Sequence, residues 1–419
     1  MVDLTVVMNG RVVGDVFGNG SRLRLRYEPA ATTTPDFTAL SLSLPADRPR
    51  WRGRTVSHWL AGVLPDRETV LRRWRTQFGV ASLAPEALLE HVGEDVAGAA
   101  QFVRRNRLET VLAQNSDLHD LTESEIAEVA RSAKRDSLPY DFDAGVGRFS
   151  LAGAQVKFAL QKTAQGWALP SGAEPSTHIF KPAIPGLEDQ DVAEVMSLRA
   201  AADLGLPTAT ACLASFEDQR VAVVERYDRI SLAGRWWRVH QEDLCQALGL
   251  SPQLKYESQG GPGVATCADL LWRHCGRADV ERFADALIYN YLIRGSDAHA
   301  RNYAILLTPG NARLAPLFDL NSTLAFGQNW ASQLAMRIGG EDRLDAIAWP
   351  HWRDCSAQLG LEPDQIRDRL TTICHDLPDA LATAAAALDL TGAAGLTSRI
   401  LVERAAVWCA EAADRCRLV

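Results

Sequence analysis

Two aspartates and an asparagine in the second half of this 419-residue chain have the types and spacing of a catalytic site. Asn302 lies five residues after Asp297, and Asp319 follows seventeen residues later, directly after Phe318. Phosphoryl transfer needs a carboxylate to accept the proton of the attacking hydroxyl, and hard oxygen ligands for Mg²⁺ between the phosphates. The order Asp, Asn, Asp therefore predicts a phosphoryl-transfer site with Asp297 as the base and Asn302 and Asp319 as metal ligands. Without Asp319, the pair Asp297 and Asn302 would ordinarily be interpreted as an aspartate-containing loop with an asparagine cap and no catalytic role.

A lysine at the end of a strand pattern could hold the phosphates of a nucleotide. Lys181 closes the stretch 177–181 before Pro182, and Glu194 lies near the start of the next helical pattern, where a partner for this lysine is expected. A surface lysine that ends a strand is common, so this prediction depends on the three residues of the downstream site.

Two further segments have the composition of nucleotide-contacting loops. The stretch 150–157 places small residues between two strand patterns, which lets the backbone approach phosphate oxygens and donate N–H groups to them. No Gly-Lys-Ser/Thr follows, so it is not a P-loop, and a simple tight turn has the same composition. The stretch 223–228 ends the last strand pattern before a helical half, where a hinge would expose backbone groups to an adenine ring. A plain strand end is the alternative.

The elements that must position these residues follow a consistent order. An Asn9-Gly10 hairpin and alternating apolar residues at 23–27 and 40–44 predict strands, and helical patterns follow. The polar stretch 104–121 is predicted to be a connector, after which a capping box at Thr122 starts a helix.

Strand patterns return between about 157 and 225, with one helix among them, and the chain after residue 227 is predicted to be mainly helical. We therefore expect an α+β fold of two lobes that meet near residue 227, with a ligand cleft between them. The predicted domains are an N-terminal strand and helix subdomain (1–105), a lobe with the phosphate loop, lysine and hinge (106–227), and a helical lobe with the catalytic loop and metal site (228–419).

Composition and charge limit the classes of function. An apolar fraction of 47% with 23% charged residues is typical of globular proteins and excludes wholesale disorder. A net charge of -8 argues against nucleic acid as the dominant partner of the isolated chain. No apolar run approaches the ~20 residues that cross a bilayer, and the first residues lack the layout of a signal peptide. We therefore expect a cytoplasmic protein without a membrane partner.

All 8 cysteines lie in the C-terminal half and form no CxxC pair, so a disulfide framework is not expected. Cys267, His274 and Cys275 are the most metal-like cluster, but their spacing does not match known zinc patterns. One buried helix face is therefore the favoured explanation.

Taken together, these motifs resemble the HipA family of serine/threonine kinases, the toxins of bacterial toxin–antitoxin pairs. The resemblance covers nearly the whole chain and rests on residues 40–45, 64–66 and 93–99 in the N-terminal part, and 150–157, 178–181, 224–228, 241–246, 255–263 and 297–302 in the core. It implies a bilobed protein-kinase-like fold with ATP and Mg²⁺ in the cleft. The strand-rich N-terminal lobe would carry an added N-terminal subdomain, and the C-terminal lobe would be mainly helical.

The resemblance also implies a role for each motif residue. The nucleotide-contacting positions would be the loop residues Ala152, Gly153, Ala154, Gln155, Val156 and Lys157, then Lys181, the hinge residues Glu225, Arg226 and Tyr227, and finally His299, Ala300, Arg301, Asn302, Phe318 and Asp319. Asp297 would accept the proton, and Asn302 and Asp319 would bind Mg²⁺. Ser150 falls on the family's autophosphorylated serine, whose modification ejects the loop and silences the enzyme.

Three positions depart from the family pattern: Val156 where an acidic residue is usual, Ala298 for a glycine, and Arg301 for a lysine. None of these changes removes a catalytic function, so we expect an active kinase. The segment 357–360 lacks the basic residues with which a family member contacts operator DNA, so DNA contact is expected mainly through the antitoxin.

The expected partners follow from the family as well. They are a small helix-turn-helix antitoxin, which inhibits the kinase and binds operator DNA with it, and a substrate of the aminoacyl-tRNA synthetase class, commonly the glutamyl enzyme. Two alternatives remain open: a non-catalytic, nucleotide-binding scaffold that acts as a co-repressor with the antitoxin, and a kinase for a small hydroxylated metabolite.

Overall fold

The computed structural model describes residues 2–114, 116–135, 150–153, 155–326 and 332–418. The described elements fall into three groups along the chain, and the buried apolar side chains form separate clusters. We call these groups the N-terminal subdomain, the N-lobe and the C-lobe. They build a bilobed α+β fold, as the sequence predicted.

The N-terminal subdomain is an antiparallel five-stranded sheet in the order β4-β3-β2-β1-β5, with Leu4, Val6 and Trp59 buried in its core. Its elements are β1 (Val2–Met8), β2 (Arg11–Gly18), β3 (Arg24–Tyr27), α1 (Pro29–Thr32), β4 (Arg50–Arg52), α2 (Arg54–Gly62), α3 (Glu68–Gln77), α4 (Pro85–Val92) and β5 (Ala100–Arg104). The predicted hairpin between β1 and β2 is confirmed. Asn9 and Gly10 both have positive φ, which a two-residue type I′ turn requires.

The alternating segment 40–44 is not a strand, so that prediction is wrong. Leu40 and Leu44 are buried, but a tyrosine satisfies their backbone groups. The Tyr27 hydroxyl donates to the Leu44 carbonyl oxygen at 2.6 Å and accepts from the Leu40 N–H at 2.9 Å. The Ser43 hydroxyl donates to a backbone carbonyl of the C-lobe at 2.8 Å. Side-chain bonds of this kind give the backbone an alternative to strand pairing.

The N-lobe contains an antiparallel six-stranded sheet in the order β10-β11-β9-β7-β8-β6. Its elements are α5 (Arg105–Leu112), β6 (Ser116–Leu121), α6 (Glu123–Lys134), β7 (Phe158–Lys162), β8 (Trp167–Gly172), β9 (His178–Pro182), α7 (Gln190–Asp203), β10 (Ala211–Phe216) and β11 (Gln219–Glu225). The capping box predicted at Thr122 is present at the start of α6. The predicted connector at 104–121 is wrong, because it contains α5 and β6. β6 is an exposed strand at the sheet edge, which explains its polar composition.

The C-lobe is mainly helical, as predicted, but it also contains short strands. Its elements are β12 (Arg229–Leu232), β13 (Arg235–Arg238), β14 (His240–Asp243), α8 (Leu244–Ala247), α9 (Val264–His274), α10 (Arg277–Leu292), β15 (Ala304–Thr308), β16 (Asn311–Leu314), β17 (Gln333–Ile338), β18 (Glu341–Arg343), α11 (Trp349–Leu359), α12 (Pro363–Leu388) and α13 (Gly392–Cys416). In the small sheet β14-β15-β16, β15 begins directly after the loop that carries Asp297. Within the described residues, no helix combines the length and apolar character needed to cross a membrane.

Candidate active site

A cleft lies between the N-lobe sheet and the C-lobe, with about 970 Å³ of empty space that is partly open to solvent. The sequence-predicted nucleotide contacts that line it are Ala152, Gly153, Lys157, Lys181, Glu225, Arg226, Tyr227, His299, Arg301, Asn302, Phe318 and Asp319. Gly62 and Asp66 of the N-terminal subdomain line it as well. Three parts of the chain therefore meet at one site.

Lys181 joins two carboxylates inside the cleft. Its ammonium nitrogen is 2.5 Å from Glu194 Oε1 and 2.8 Å from Asp319 Oδ1. Because β9 carries Lys181, α7 carries Glu194 and the C-lobe carries Asp319, one lysine connects three elements. Burial alone would lower the pKa of Lys181, but the two carboxylates raise it above its ordinary value. The lysine therefore stays charged at neutral pH.

The two carboxylates respond differently to sharing this lysine. Burial acts to raise the pKa of Asp319, but the ammonium groups of Lys181 and Lys157 outweigh it and hold that pKa well below its ordinary value. For Glu194 burial dominates, and the pKa is raised. Burial, with the neighbouring charge of Lys181, also lowers the pKa of Lys157 to about 8. Asp319 is therefore ionised at neutral pH.

Asp297 lies at the exposed edge of the site, in the loop between α10 and β15. The Tyr256 hydroxyl donates to its Oδ1 atom at 2.6 Å. The side-chain amide nitrogen of Asn302 donates to the backbone carbonyl oxygen of Asp297 at 2.8 Å. The side-chain oxygen of Asn302 is therefore free to accept a hydrogen bond or to coordinate a cation. Asp297 does not line the cleft itself. It is placed to meet a hydroxyl that arrives from outside.

The donors at the cleft fit a hard divalent cation. Asn302 and Asp319 both line the cleft, and Asp319 Oδ2 has no hydrogen-bond partner in the part of the chain that the structure describes. Amide and carboxylate oxygens are the donors that Mg²⁺ prefers, and Mg²⁺ commonly takes only one or two protein ligands beside phosphates and water. Over the described ranges, no group of three or more His, Cys, Asp or Glu side chains converges to hold a metal.

Asp66 brings the N-terminal subdomain into the site. Its carboxylate forms ion pairs with Arg301 and with Lys255, whose ammonium nitrogen is 2.7 Å from Oδ2. Its N–H donates to the Gly153 carbonyl oxygen at 3.1 Å. Arg301 also donates to Asp243 Oδ2 at 2.9 Å. The charge of Arg301 is therefore neutralised by two carboxylates of the protein.

The predicted phosphate loop is docked on the same subdomain. Gly153 has a φ of 108°, and a Cβ there would lie 2.6 Å from Lys157 Nζ, so a side chain would be strained and crowded. Gln155 and Val156 do not line the cleft but a neighbouring hollow. The Gln155 amide donates to the Pro182 carbonyl oxygen at 3.0 Å. Ala154 lies outside the described residues.

Ser150, at the start of this loop, is fully buried. Its hydroxyl donates to the Val63 carbonyl oxygen at 2.8 Å, and its N–H donates to the Asp95 carbonyl oxygen at 3.0 Å. No phosphate donor can reach the hydroxyl in this arrangement. Modification of Ser150 therefore requires this segment to leave the N-terminal subdomain.

The predicted hinge is held by a buried group of five charged residues, which we call the hinge cluster. Arg226 donates to both carboxylate oxygens of Asp228, at 3.0 and 2.9 Å, and Arg229 donates to Asp95 Oδ1 at 2.8 Å. Burial acts to raise the pKa of Asp228, but the guanidinium groups of Arg226 and Arg229 lower it well below its ordinary value. The members of the cluster are Asp95, Arg226, Asp228, Arg229 and Arg238. The guanidinium group of Arg226 is therefore buried in the protein interior and bonded to other residues of the hinge cluster.

Of the remaining predicted residues, all but Ala300 line the cleft. The rings of Tyr227 and Phe318 lie with centroids 5.6 Å apart and both line the cleft, which offers an apolar surface to a flat base. Burial lowers the pKa of His299 to about 4, so its imidazole is neutral near pH 7. Ala300 is fully buried in the C-lobe core. Exposed Glu225 lines the cleft at the end of β11.

Sequence reasoning assigned no role to Asp66, Lys255 or Tyr256. The motifs 64–66 and 255–263 were recognised, but no spacing rule connects Asp66 with a residue 235 positions away. The signal that could have found them is the presence of these charged and hydroxyl-bearing residues inside otherwise Gly- and Pro-rich motifs.

Comparisons with known proteins give a consistent result. The family model for the HipA-like C-terminal domain matches residues 149–381, and that for the HipA N-terminal domain matches residues 4–103. The protein Y4mE of Sinorhizobium fredii, whose name marks it as a candidate kinase, is 34% identical over 389 residues, which cover 90% of this chain and 91% of Y4mE. The serine/threonine-protein kinase toxin HipA of Shewanella oneidensis is 28% identical over 347 residues, which cover 78% and 76%.

Among solved structures, the Shewanella oneidensis toxin–antitoxin complex of HipA, HipB and operator DNA contains a chain of the same fold. The TM-score is 0.84 at 24% identity, and the match covers 97% of this chain and 96% of that chain.

Proposed function

This chain belongs to the HipA family of serine/threonine-protein kinases, and we propose that it transfers the γ-phosphate of ATP, with Mg²⁺, to a serine or threonine hydroxyl of another protein. The observation that carries this proposal is the meeting of Lys181, Asp319 and Asn302 in one cleft. Glu194 is buried against Lys181, and Asp297 lies at the outer edge of the cleft. These are the groups that phosphoryl transfer requires.

In this mechanism the protein mainly positions groups and neutralises charge. Lys181, held by Glu194, and Lys157 supply positive charge where the phosphates lie. Mg²⁺ held by Asn302 and Asp319 would neutralise the charge on the transferring phosphoryl group. Asp297 accepts the proton of the attacking hydroxyl.

The position of Asp297 favours a large acceptor over a small metabolite. Its carboxylate lies outside the residues that line the cleft, so the hydroxyl must approach across the exposed edge. A serine or threonine side chain on a protein surface can do this while the bulk of the substrate stays outside.

The test measures the transfer of phosphate from labelled ATP to protein and compares the unmodified chain with the Asp297→Asn variant. Losing the base should slow the reaction about 10³-fold or more, whereas ADP binding should remain. Equal labelling by both proteins, or none by either, contradicts the proposal.

We propose further that the chain is the toxin of a toxin–antitoxin pair, with a helix-turn-helix antitoxin as its partner. The solved relative in complex with HipB and operator DNA supports this choice of partner.

The proposed substrate is an aminoacyl-tRNA synthetase in the cytoplasm, with the glutamyl enzyme favoured, and its phosphorylation would stop translation. Phosphoproteomics after brief expression, with the Asp297→Asn protein as reference, tests the substrate class; unchanged synthetases would contradict it.

We also propose that autophosphorylation of Ser150 silences the enzyme. A phosphate adds about -1.5 to -2 charge at neutral pH, which cannot fit where the buried hydroxyl now contacts a carbonyl oxygen. The loop would leave its position and the phosphate site would be lost. Intact mass spectrometry should show one added phosphate that Ser150→Ala abolishes; persistence of that phosphate in the variant refutes the assignment.

A further inference from the structure

The outer face of the N-terminal sheet carries arginines directly opposite one another on β3 and β4. In the antiparallel register, Arg24 pairs with Arg52 and Arg26 pairs with Arg50. Residues directly opposite in such a pair project from the same face, with Cβ atoms about 4.5–5.5 Å apart. All four side chains are exposed, whereas Leu25, between the two arginines of β3, is buried. We call these four residues the arginine face.

Carboxylates of the sheet neutralise only one member of this face. Asp15 of β2 lies opposite Arg26 and accepts a hydrogen bond from its guanidinium group at 2.8 Å. Within the described ranges, Arg24, Arg50 and Arg52 take part in no ion pair. The surrounding segment 22–54 contains seven arginines and three carboxylates, a net charge of +4 in a chain of net charge -8.

The pairing of arginines across β3 and β4 does not stabilise the subdomain. Like charges directly opposite each other destabilise a sheet. At the other end of the same outer face, α5 covers β1 and β5 through Val7, Val103 and Val111. No described residue covers the four arginines at the β3–β4 end enough to bury them. A feature that violates a local folding rule without a compensating contact indicates a surface kept for a ligand.

We propose that the arginine face binds the phosphate backbone of duplex DNA without reading its sequence. Guanidinium groups pair with phosphates in bidentate geometry, and such contacts give affinity that does not depend on the bases. Arginines two residues apart on a strand are separated by about 6.8 Å at the backbone, so β3 and β4 present a two-by-two array of arginines, of which Arg26 is paired with Asp15.

The chemistry of the face favours a duplex over a single strand. Single strands are held largely by bases stacked on aromatic side chains. The aromatic residue on this part of the face is Phe17, and the guanidinium group of Arg26 covers its ring at 5.5 Å. The inference rests on the proposed function only in that an antitoxin would bring operator DNA next to this chain.

The test measures binding of the full chain alone, without antitoxin, to a short fluorescent duplex of random sequence over a range of salt concentrations. Replacing the opposed pair, as Arg24→Gln/Arg52→Gln, should weaken binding at low salt by about tenfold or more. It should also reduce the slope of log affinity against log salt by about 2. The matched control, Arg277→Gln/Arg399→Gln, removes the same charge from C-lobe helices and should leave the slope at that of the unmodified protein.

A second variant separates binding from folding. Arg24→Glu places opposite charges across the strand pair with Arg52, so the melting temperature should stay the same or rise while duplex binding falls. Kinase activity measured in parallel reports on the proposed function alone. Its absence would refute that function and leave the DNA result standing.

Three results would overturn the proposal. The first is an equal salt slope for the arginine-face variant and the C-lobe control. The second is binding of polyglutamate, but not of duplex DNA, that depends on Arg24 and Arg52, which would assign the face to an acidic protein. The third is tighter binding of single-stranded RNA than of the duplex.

Discussion

The carboxylate of Asp66 forms ion pairs with both Arg301 and Lys255, so one residue of the N-terminal subdomain connects two separate segments of the C-lobe. Arg301 precedes the metal-binding candidate Asn302, and Lys255 precedes Tyr256, whose hydroxyl holds Asp297. The catalytic edge of the cleft is therefore tied to a segment that belongs to neither lobe.

Asp66→Asn should lower the free energy of unfolding by about 2–4 kcal/mol, because it leaves the buried guanidinium group of Arg301 with one carboxylate fewer. Urea denaturation measures this. Glu68→Gln, which breaks an exposed pair with Arg72 in the same subdomain, is the control and should change stability little. Equal effects would show that the Asp66 ion pairs do not stabilise the fold.

Loosening the same contact should expose Ser150. The wild-type kinase is supplied with inactive acceptors, either Asp297→Asn or Asp297→Asn with Asp66→Asn. The Asp66 carboxylate anchors this segment to Arg301 and Lys255, and the backbone of the same segment holds Gly153 and accepts the Ser150 hydroxyl at Val63. Without that anchor, the second acceptor should gain phosphate at Ser150 faster. Mass spectrometry of the acceptor follows the rate. Equal or slower modification would argue that other contacts control access to Ser150.

Tyr256→Phe should lower kcat about 5- to 30-fold without changing the KM for ATP. Its hydroxyl orients the carboxylate of Asp297 at 2.6 Å, and one charge-assisted hydrogen bond contributes about 1–2 kcal/mol. Burial and the bond to Asp297 raise the pKa of Tyr256, so the phenol stays a donor. Steady-state kinetics with a protein acceptor separate the two parameters. A raised KM for ATP with an unchanged kcat would assign Tyr256 to nucleotide binding instead.

Glu194→Gln should lower kcat about 10- to 100-fold and raise the Mg²⁺ concentration needed for half-maximal activity. Lys181 would then have Asp319 as its remaining anionic partner, so the lysine competes more strongly with a cation for that carboxylate. Titration of Mg²⁺ at fixed ATP checks this, with the exposed Glu128→Gln as control. An unchanged Mg²⁺ dependence would contradict a role for Asp319 in metal binding.

Nucleotide affinity should fall as the pH rises through about 8, where Lys157 loses its charge. Its pKa in the folded protein lies below the ordinary value of 10.5, so the ammonium form is present below pH 8 and is lost above it. The Kd for ADP should then rise by up to tenfold per pH unit between pH 8 and 10, measured by calorimetry. Lys157→Arg stays charged over this range. If that variant keeps the same pH dependence, another group is responsible.

The parts of the site that could be predicted from the sequence are those that short motifs determine. Phosphoryl transfer restricts the residue types so strongly that Lys181, Asn302 and Asp319 could be selected, and all three line one cleft. The Asn9-Gly10 turn and the Thr122 cap were equally accessible, because a few adjacent residues determine their geometry.

The parts that could not be predicted depend on contacts between distant residues. Asp66 and Arg301 are 235 positions apart, and only the folded chain brings them together. The segment 40–44 has the pattern of a strand, but Tyr27 satisfies its backbone groups. β6 is polar because it forms a sheet edge, so hydrophobic periodicity cannot detect it.

The hinge cluster limits how this protein can be divided. Asp95 belongs to the N-terminal subdomain, whereas Arg226, Arg229 and Arg238 follow the N-lobe sheet. A chain cut after residue 105 would lose Asp95, the carboxylate that Arg226, Arg229 and Arg238 share, which is a severe electrostatic penalty. The kinase lobes are therefore not an excisable module. Exchange of N-terminal subdomains between relatives would succeed only where the incoming segment brings its own carboxylate to this position.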